Sequence, residues 1–405
     1  MSPSRCTARR VSVLALAATL VAAHAGAQAG APTDSARMAA VTDSIRLAER
    51  ADPPRPSATV DTIKPKGDTT RTLVRNSTLL SPIPLYSPES GWGGGAGFVF
   101  VRIPEGASPT QRPSNYQGSI VGTETGQFTV QTIIDMWTRG NQRRYTIDAT
   151  YQRNPSKFFG IGPVADNPPE KYTPTSVRLI LTAQQRIAPK LFTGVRLFVE
   201  QTQISDVKPG PIASGTVPGS KGWNLATLSW LLSYDTRDRY YSPRSGVFAT
   251  LQVTRGDNAI GSEFNFWRTL ADIRWYRALV GEHILAVQLW GDANYGGTTA
   301  FDRLPRLGGK DNLRGFFGAR YRDKYAVAVQ AEYRSAPWRR FSGTVFAATG
   351  SVAPAPGQFY APYFRAAAGV GLRWAITGPD RFNLRVDRAW GPNSAATYFT
   401  IGEAF

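Results

Sequence analysis

Few residues in this chain could do covalent chemistry. Its two histidines are His24, near the amino terminus, and His283, which follows Glu282 at the start of a strand-like segment. A histidine beside a carboxylate can serve as a general base. No GxSxG, HExxH or phosphate-binding loop accompanies it, so a polar strand-end residue is the simpler reading. The glycine run Gly91-Trp92-Gly93-Gly94-Gly95-Ala96-Gly97 lacks the spacing and the following helix of a nucleotide loop. It reads instead as small residues within a strand. Cys6 is the only cysteine and lies in a segment expected to be removed, which excludes disulfides, thiol catalysis and thiolate metal sites. The sequence therefore offers no catalytic residue, no metal site and no cofactor.

The elements around these residues point to export. Arg5, Arg9 and Arg10 precede the apolar run Val11–Ala23, and Ala27-Gln28-Ala29 forms a small-x-small cleavage site, so residues 1–29 read as a signal peptide. That run is too short to cross a bilayer as a helix. Residues 30–77 are polar and rich in Pro, Thr and Asp. They are expected to form a flexible periplasmic tail, with one short amphipathic helix on Met38, Val41, Ile45 and Ala48. The chain carries 47 Lys+Arg against 29 Asp+Glu, a net charge of +18. Export removes nucleic acid as a partner, so basic loops are expected to meet anionic lipid or lipopolysaccharide phosphates.

From Thr78 to Phe405 one theme repeats. Segments of about ten residues alternate in polarity between turn-forming clusters. In 144–152, Tyr145, Ile147, Ala149 and Tyr151 oppose Arg144, Thr146, Asp148, Thr150 and Gln152. In 325–334, Tyr325, Val327, Val329, Ala331 and Tyr333 oppose Gln330, Glu332 and Arg334. Period two means strands with one apolar and one polar face. Small hydroxyls, glycines and single charges on the polar faces, with aromatics near strand ends on the apolar ones, fit lipid outside and water inside. The expected fold is all-β: a 16-stranded antiparallel transmembrane outer-membrane β-barrel over residues 78–405. Closure of such a barrel leaves no unpaired edge in hydrocarbon. The strand near residue 82 holds two prolines, which suits an edge-like position.

The stretch LGGKDNLRGFFGAR at 307–320, with YDTRDRYYSPRSG at 234–246 and the ending IGEAF, resembles the BamA/TamA family of outer-membrane assembly factors, also called the bacterial surface antigen family. PLYSPESGWGGGAG at 84–97 and KFFGIG at 157–162 look like its short branch, which lacks periplasmic repeat domains. The resemblance implies that the loop at 294–322 folds into the lumen through Leu313-Arg314-Gly315-Phe316, where Arg314 meets a carboxylate on the inner wall. Carried over by position that carboxylate is Glu332, which the alternation also places on the lumen face. The second partner is normally the Asp of an FxDxG pattern. Here the pattern reads Phe346-Ala347-Ala348-Thr349-Gly350, so Ala348 stands in its place and Glu332 is expected to carry most of the pairing. Arg373 is a competitor for Glu332 on the same face.

The resemblance also implies a weak seam between first and last strands, non-enzymatic insertion or translocation of proteins, or of lipids, and client outer-membrane proteins as partners. Pro82 and Pro84 lack ladder donors on one edge of the first strand, while Gly402 weakens the last strand before Phe405. The terminal Phe405 is expected to share a face with Phe399 and Ile401. The rival class is a passive diffusion channel or a structural surface barrel, which needs an open lumen. No feature of the sequence specifies an oligomeric state.

Overall fold

Alternation along each strand closes the chain into a cylinder. The computed structural model describes residues 76–102, 111–164, 168–239, 242–375 and 383–405. The expected signal peptide (1–29) and all but the last two residues of the expected tail (30–77) lie outside the described residues. Among the described residues sixteen antiparallel strands form the wall: β1 (Asn76–Pro82, continued after a break by Leu85–Ser87), β2 (Gly91–Arg102), β3 (Ser114–Thr123), β4 (Phe128–Trp137), β5 (Arg143–Arg153), β6 (Glu170–Ala188), β7 (Leu191–Ser205), β8 (Gly222–Asp235), β9 (Gly246–Gly256), β10 (Phe266–Ala278), β11 (Ile284–Tyr295), β12 (Tyr325–Arg334), β13 (Phe341–Ala353), β14 (Arg365–Ala375), β15 (Asn383–Gly391) and β16 (Ser394–Ile401). Each pairs with its chain neighbour, and β1 returns to β16. No described helix is long and apolar enough to cross a membrane. The strands do the crossing.

The two faces differ as the alternation requires. Trp267 and Trp275 lie outward on β10, both exposed, about 26 Å apart along the strand. With the usual tilt this brackets about 20 Å of an apolar band that is ~25 Å tall in such barrels. Inward residues are polar, and some bond one another across strands: Gln131 Nε2 donates to both carboxylate oxygens of Asp148 at 3.1 Å. Between β11 and β12 the chain does not cap the barrel but enters it. This plug loop begins after Tyr295 and ends before Tyr325, slightly displaced from 294–322, and carries its own two-residue ladder, Arg306–Leu307 with Tyr321–Arg322.

Closure is uneven. β15 and β16 are in register from Leu384↔Ile401 to Gly391↔Ser394, whereas β1 meets β16 at one pair, Tyr86↔Phe399. Ile83 exchanges both backbone hydrogen bonds with Gly95 of β2, at 2.9 and 3.1 Å. Alternate residues of a strand address opposite edges, so Pro82 and Pro84 turn their donor-less nitrogens to the β16 edge, the one on which Tyr86 sits.

Candidate functional site: the anchored plug loop

The loop enters because glycines permit its turns. Gly308, Gly309 and Gly315 have φ of +107°, +93° and +108°, values that L side chains rarely adopt. A Cβ on Gly315 would press on Ala367, Trp390 and Gly391 at 3.3–3.4 Å. Leu307, Leu313 and Phe316 are then buried with Tyr321 against Ala328, Ala348 and Ala367 of the wall. Gly391 makes the notch that Phe316 fills, since a Cβ there would lie 2.6 Å from the ring.

That packing delivers Arg314, fully buried, to an ionic cluster on the inner wall. Its Nη2 lies 2.8 Å from Glu332 Oε2 and its Nη1 lies 2.7 Å from Asp387 Oδ2. Its guanidinium stacks 3.4 Å from the centroid of the Phe346 ring. The expectation that Glu332 carries most of the pairing is therefore corrected. Ala348 supplies no charge and packs with Leu313, while Asp387, two strands further on, provides the second carboxylate. Arg373 does share the site, but bonds chiefly to Asp387 (2.6 Å) and Glu403 (2.9 Å), with Glu332 at 3.5 Å. Arg334 pairs with Glu332 at 2.8 Å, and Arg385 lies 3.5 Å from Asp387. Three guanidiniums and three carboxylates from β12, β14, β15 and the segment after β16 thus surround the one loop arginine. Arginine remains charged when buried, so it requires such partners.

Further contacts that the sequence reading missed hold the loop to both sides of the seam. On β16, Ser394 Oγ donates to the Gly315 carbonyl at 2.6 Å and Tyr398 Oη donates to the Phe316 carbonyl at 3.1 Å. On the turn after β1, Glu89 Oε1 accepts from Gly318 N at 2.5 Å. Glu89 lies inside the quoted stretch 84–97, and Tyr398 and Asp387 have lumen-face parity. Nothing local marks them as loop partners.

A second anchor sits on the opposite wall. Tyr172 Oη donates to Asp302 Oδ1 at 2.7 Å, and Arg322 Nη1 lies 3.1 Å from the same oxygen. Burial alone would raise the Asp302 pKa, but Arg322, Arg306 and Arg303 outweigh it and hold the carboxyl below its usual range. Arg303 Nε and Trp223 Nε1 both donate to Glu200 Oε1, at 2.9 and 2.7 Å. The KFFGIG stretch packs onto the loop as well: Phe158 against Phe301 (5.1 Å), Phe159 against Phe317 (5.5 Å), and Gly162 N bonded to the Arg322 carbonyl at 2.8 Å.

The remaining expected residues are dispersed. Gly402, at φ +92°, ends β16 by bonding Asn383 O at 2.8 Å. Phe405 consequently does not share the face of Phe399. It folds inward onto Tyr276 and Ala286, across the lumen from the seam, with Arg334 Nη2 on its carbonyl at 3.2 Å. His283 Nδ1 lies 2.6 Å from Tyr333 Oη and accepts from Ala336 N at 3.3 Å, so it fixes a turn. No described group of His, Cys, Asp and Glu could hold a metal ion. The arrangement restrains a loop at both walls of the barrel.

A family model described as the Omp85 superfamily domain matches residues 121–405. BamA from Haemophilus ducreyi, solved without POTRA domains 1–3, superposes with a TM-score of 0.58 at 16% identity, covering 81% of this chain and 70% of that one. CdiB from Acinetobacter baumannii gives a TM-score of 0.51 at 14% identity, covering 81% of this chain and 59% of that one. At such identities the likeness concerns the fold. No curated protein matches the chain by sequence.

Proposed function

The chain belongs to the Omp85 superfamily, and on that premise we propose that it inserts or translocates other proteins through a lateral opening at its seam, without covalent chemistry. It is a bacterial outer-membrane protein. One observation carries the reading. The wall is held at its seam by a single bridged pair, and the loop that fills the lumen grips Ser394 and Tyr398 on one side of that seam and Glu89 on the other. A device that plugs a channel need not straddle its weakest joint. A device that couples plug position to seam opening must. Clients would be chains whose strands can pair with the β1 edge that Pro82 and Pro84 leave short of donors.

Covalent closure tests this. Tyr86→Cys with Phe399→Cys places two thiols on directly paired residues, within disulfide reach. Oxidation in cells should deplete the client outer-membrane proteins, and reductant should restore them. An unchanged outer-membrane profile with the seam locked sinks the proposal. Large steady conductance in planar bilayers would instead support a passive channel.

A further inference from the structure

We propose that the periplasmic rim of this barrel is a cationic collar that binds anionic phospholipid headgroups, phosphodiesters with no compensating ammonium, in the inner leaflet of the outer membrane. The rim is the end away from the plug loop between Tyr295 and Tyr325, the longest described connection, since the longer loops of such barrels lie at the extracellular end.

Six of the described cations at this end form the collar. Arg102, Arg143 and Arg277 have the outward parity of the lipid-facing aromatics two residues away on their own strands, Phe100, Tyr145 and Trp275. Lys190, Arg339 and Arg340 occupy turn tips. None of the six side chains has a carboxylate partner among the described residues. Their neighbours do: Arg144 pairs with Asp135, Arg274 with Asp272 and Arg244 with Glu282. At the opposite rim the lipid-facing Arg255 is neutralised by Asp257.

Two of the cations sit where the backbone disfavours them. Lys190 and Arg339 have φ of +64° and +55°. Tight hairpins put Gly or Asn at such positions, as the β15–β16 turn does with Asn393 at +53°. A charged side chain stands there against the conformational preference.

The chemistry beside the charges is that of a bilayer interface. Trp338 is 71% exposed and Val280 93%, and Phe341 stacks on Trp374 at 6.3 Å and 14°. The outward cations stand on strands spread around the barrel, below the apolar band, and not over the lumen mouth. A soluble partner could not reach all of them at once; a headgroup layer touches every one. A zwitterionic lipid brings its own ammonium to the phosphate, so the collar should discriminate by net charge.

The test uses the full chain reconstituted in phosphatidylcholine vesicles, with spin-labelled phosphatidylglycerol or spin-labelled phosphatidylcholine as the probe. At low salt the first should associate about fivefold more strongly than the second, and ~1 M salt should erase the difference. Lys190→Asn, Arg339→Asn and Arg340→Asn together keep turn-compatible residues and should remove most of the preference. Lys208→Gln with Lys221→Gln, at the other end, should leave it intact. Equal association of the two probes at low salt overturns the proposal, as does a preference that survives the triple variant. If that variant fails to fold, the salt dependence of the native chain decides alone.

Discussion

Asp387 Oδ2 lies 2.7 Å from Arg314 Nη1, although the two residues are separated by three strands of wall and Asp387 stands on none of the positions that a loop-lock motif would mark. It completes the bracket that Ala348 leaves open. Because Arg314 and its carboxylates are fully buried, removing one partner leaves charge uncompensated, at a cost on the order of 3–5 kcal/mol. Asp387→Ala and Glu332→Ala should therefore destabilise by similar amounts in heat-shifted gel mobility. Each should combine non-additively with Arg314→Ala, because the three residues share one network. Additive losses would separate Arg314 from the cluster.

The seam-side hydroxyl makes a sharper prediction. Tyr398→Phe keeps the ring and removes only the group that serves Phe316 O and Gly315 N. Leaving those buried groups unpaired should cost about 1–3 kcal/mol and raise the flicker of single-channel current. Stability loss without any change in current would mean that the hydroxyl holds the loop but not the plug.

Backbone and volume at the turn are equally constrained. Gly315→Ala places a Cβ at φ +108° between Ala367 and Trp390, and Gly391→Ala drives one into Phe316. Strain and overpacking each cost roughly 1–3 kcal/mol. Both variants should lose thermal stability, and tryptic cleavage at Lys310 should accelerate as the loop loosens. A Gly391→Ala barrel as resistant as the native one would show that the Phe316 notch is soft.

The far anchor should be pH-dependent. Asp302 has a lowered pKa in the folded loop, so its contribution is fully present above the ordinary carboxylate value and is lost as pH falls through the lowered one. Below about pH 4 the native loop should loosen progressively. Asp302→Asn should be weaker at neutral pH and lose less on acidification, seen as converging unfolding temperatures from pH 7 to pH 3. Parallel curves would place the acid sensitivity elsewhere.

Restoring donors should tighten the seam. Pro82→Val and Pro84→Val return backbone N–H groups to the β16 edge of β1, where the partner strand runs out at Ile401 and Gly402 turns away. At ~1 kcal/mol for each bond made, the effect should favour Pro84, which faces Ile401 in the continued register. The readout is slower exchange of the Tyr86 and Phe399 amides, with Pro82→Val as the near-silent comparison.

Sixteen strands, their inward and outward faces and the wall position of Glu332 were legible because alternation is a local property: each residue reports its own side of a pleat. The loop motif was legible through its resemblance to the BamA/TamA family, Leu313-Arg314-Gly315-Phe316 after the Gly308-Gly309 pair. Which carboxylates meet Arg314 was not legible. Asp387, Glu89 and Tyr398 approach the loop only once barrel closure and strand stagger fix distances across the lumen, and no sequence period encodes those. Phe405 shows the same limit from the other side. Its parity matched Phe399 and Ile401 along an unbroken strand, but Gly402 at positive φ ends the strand and turns the ring inward onto Tyr276, a contact that exists only because β10 faces that point of the lumen.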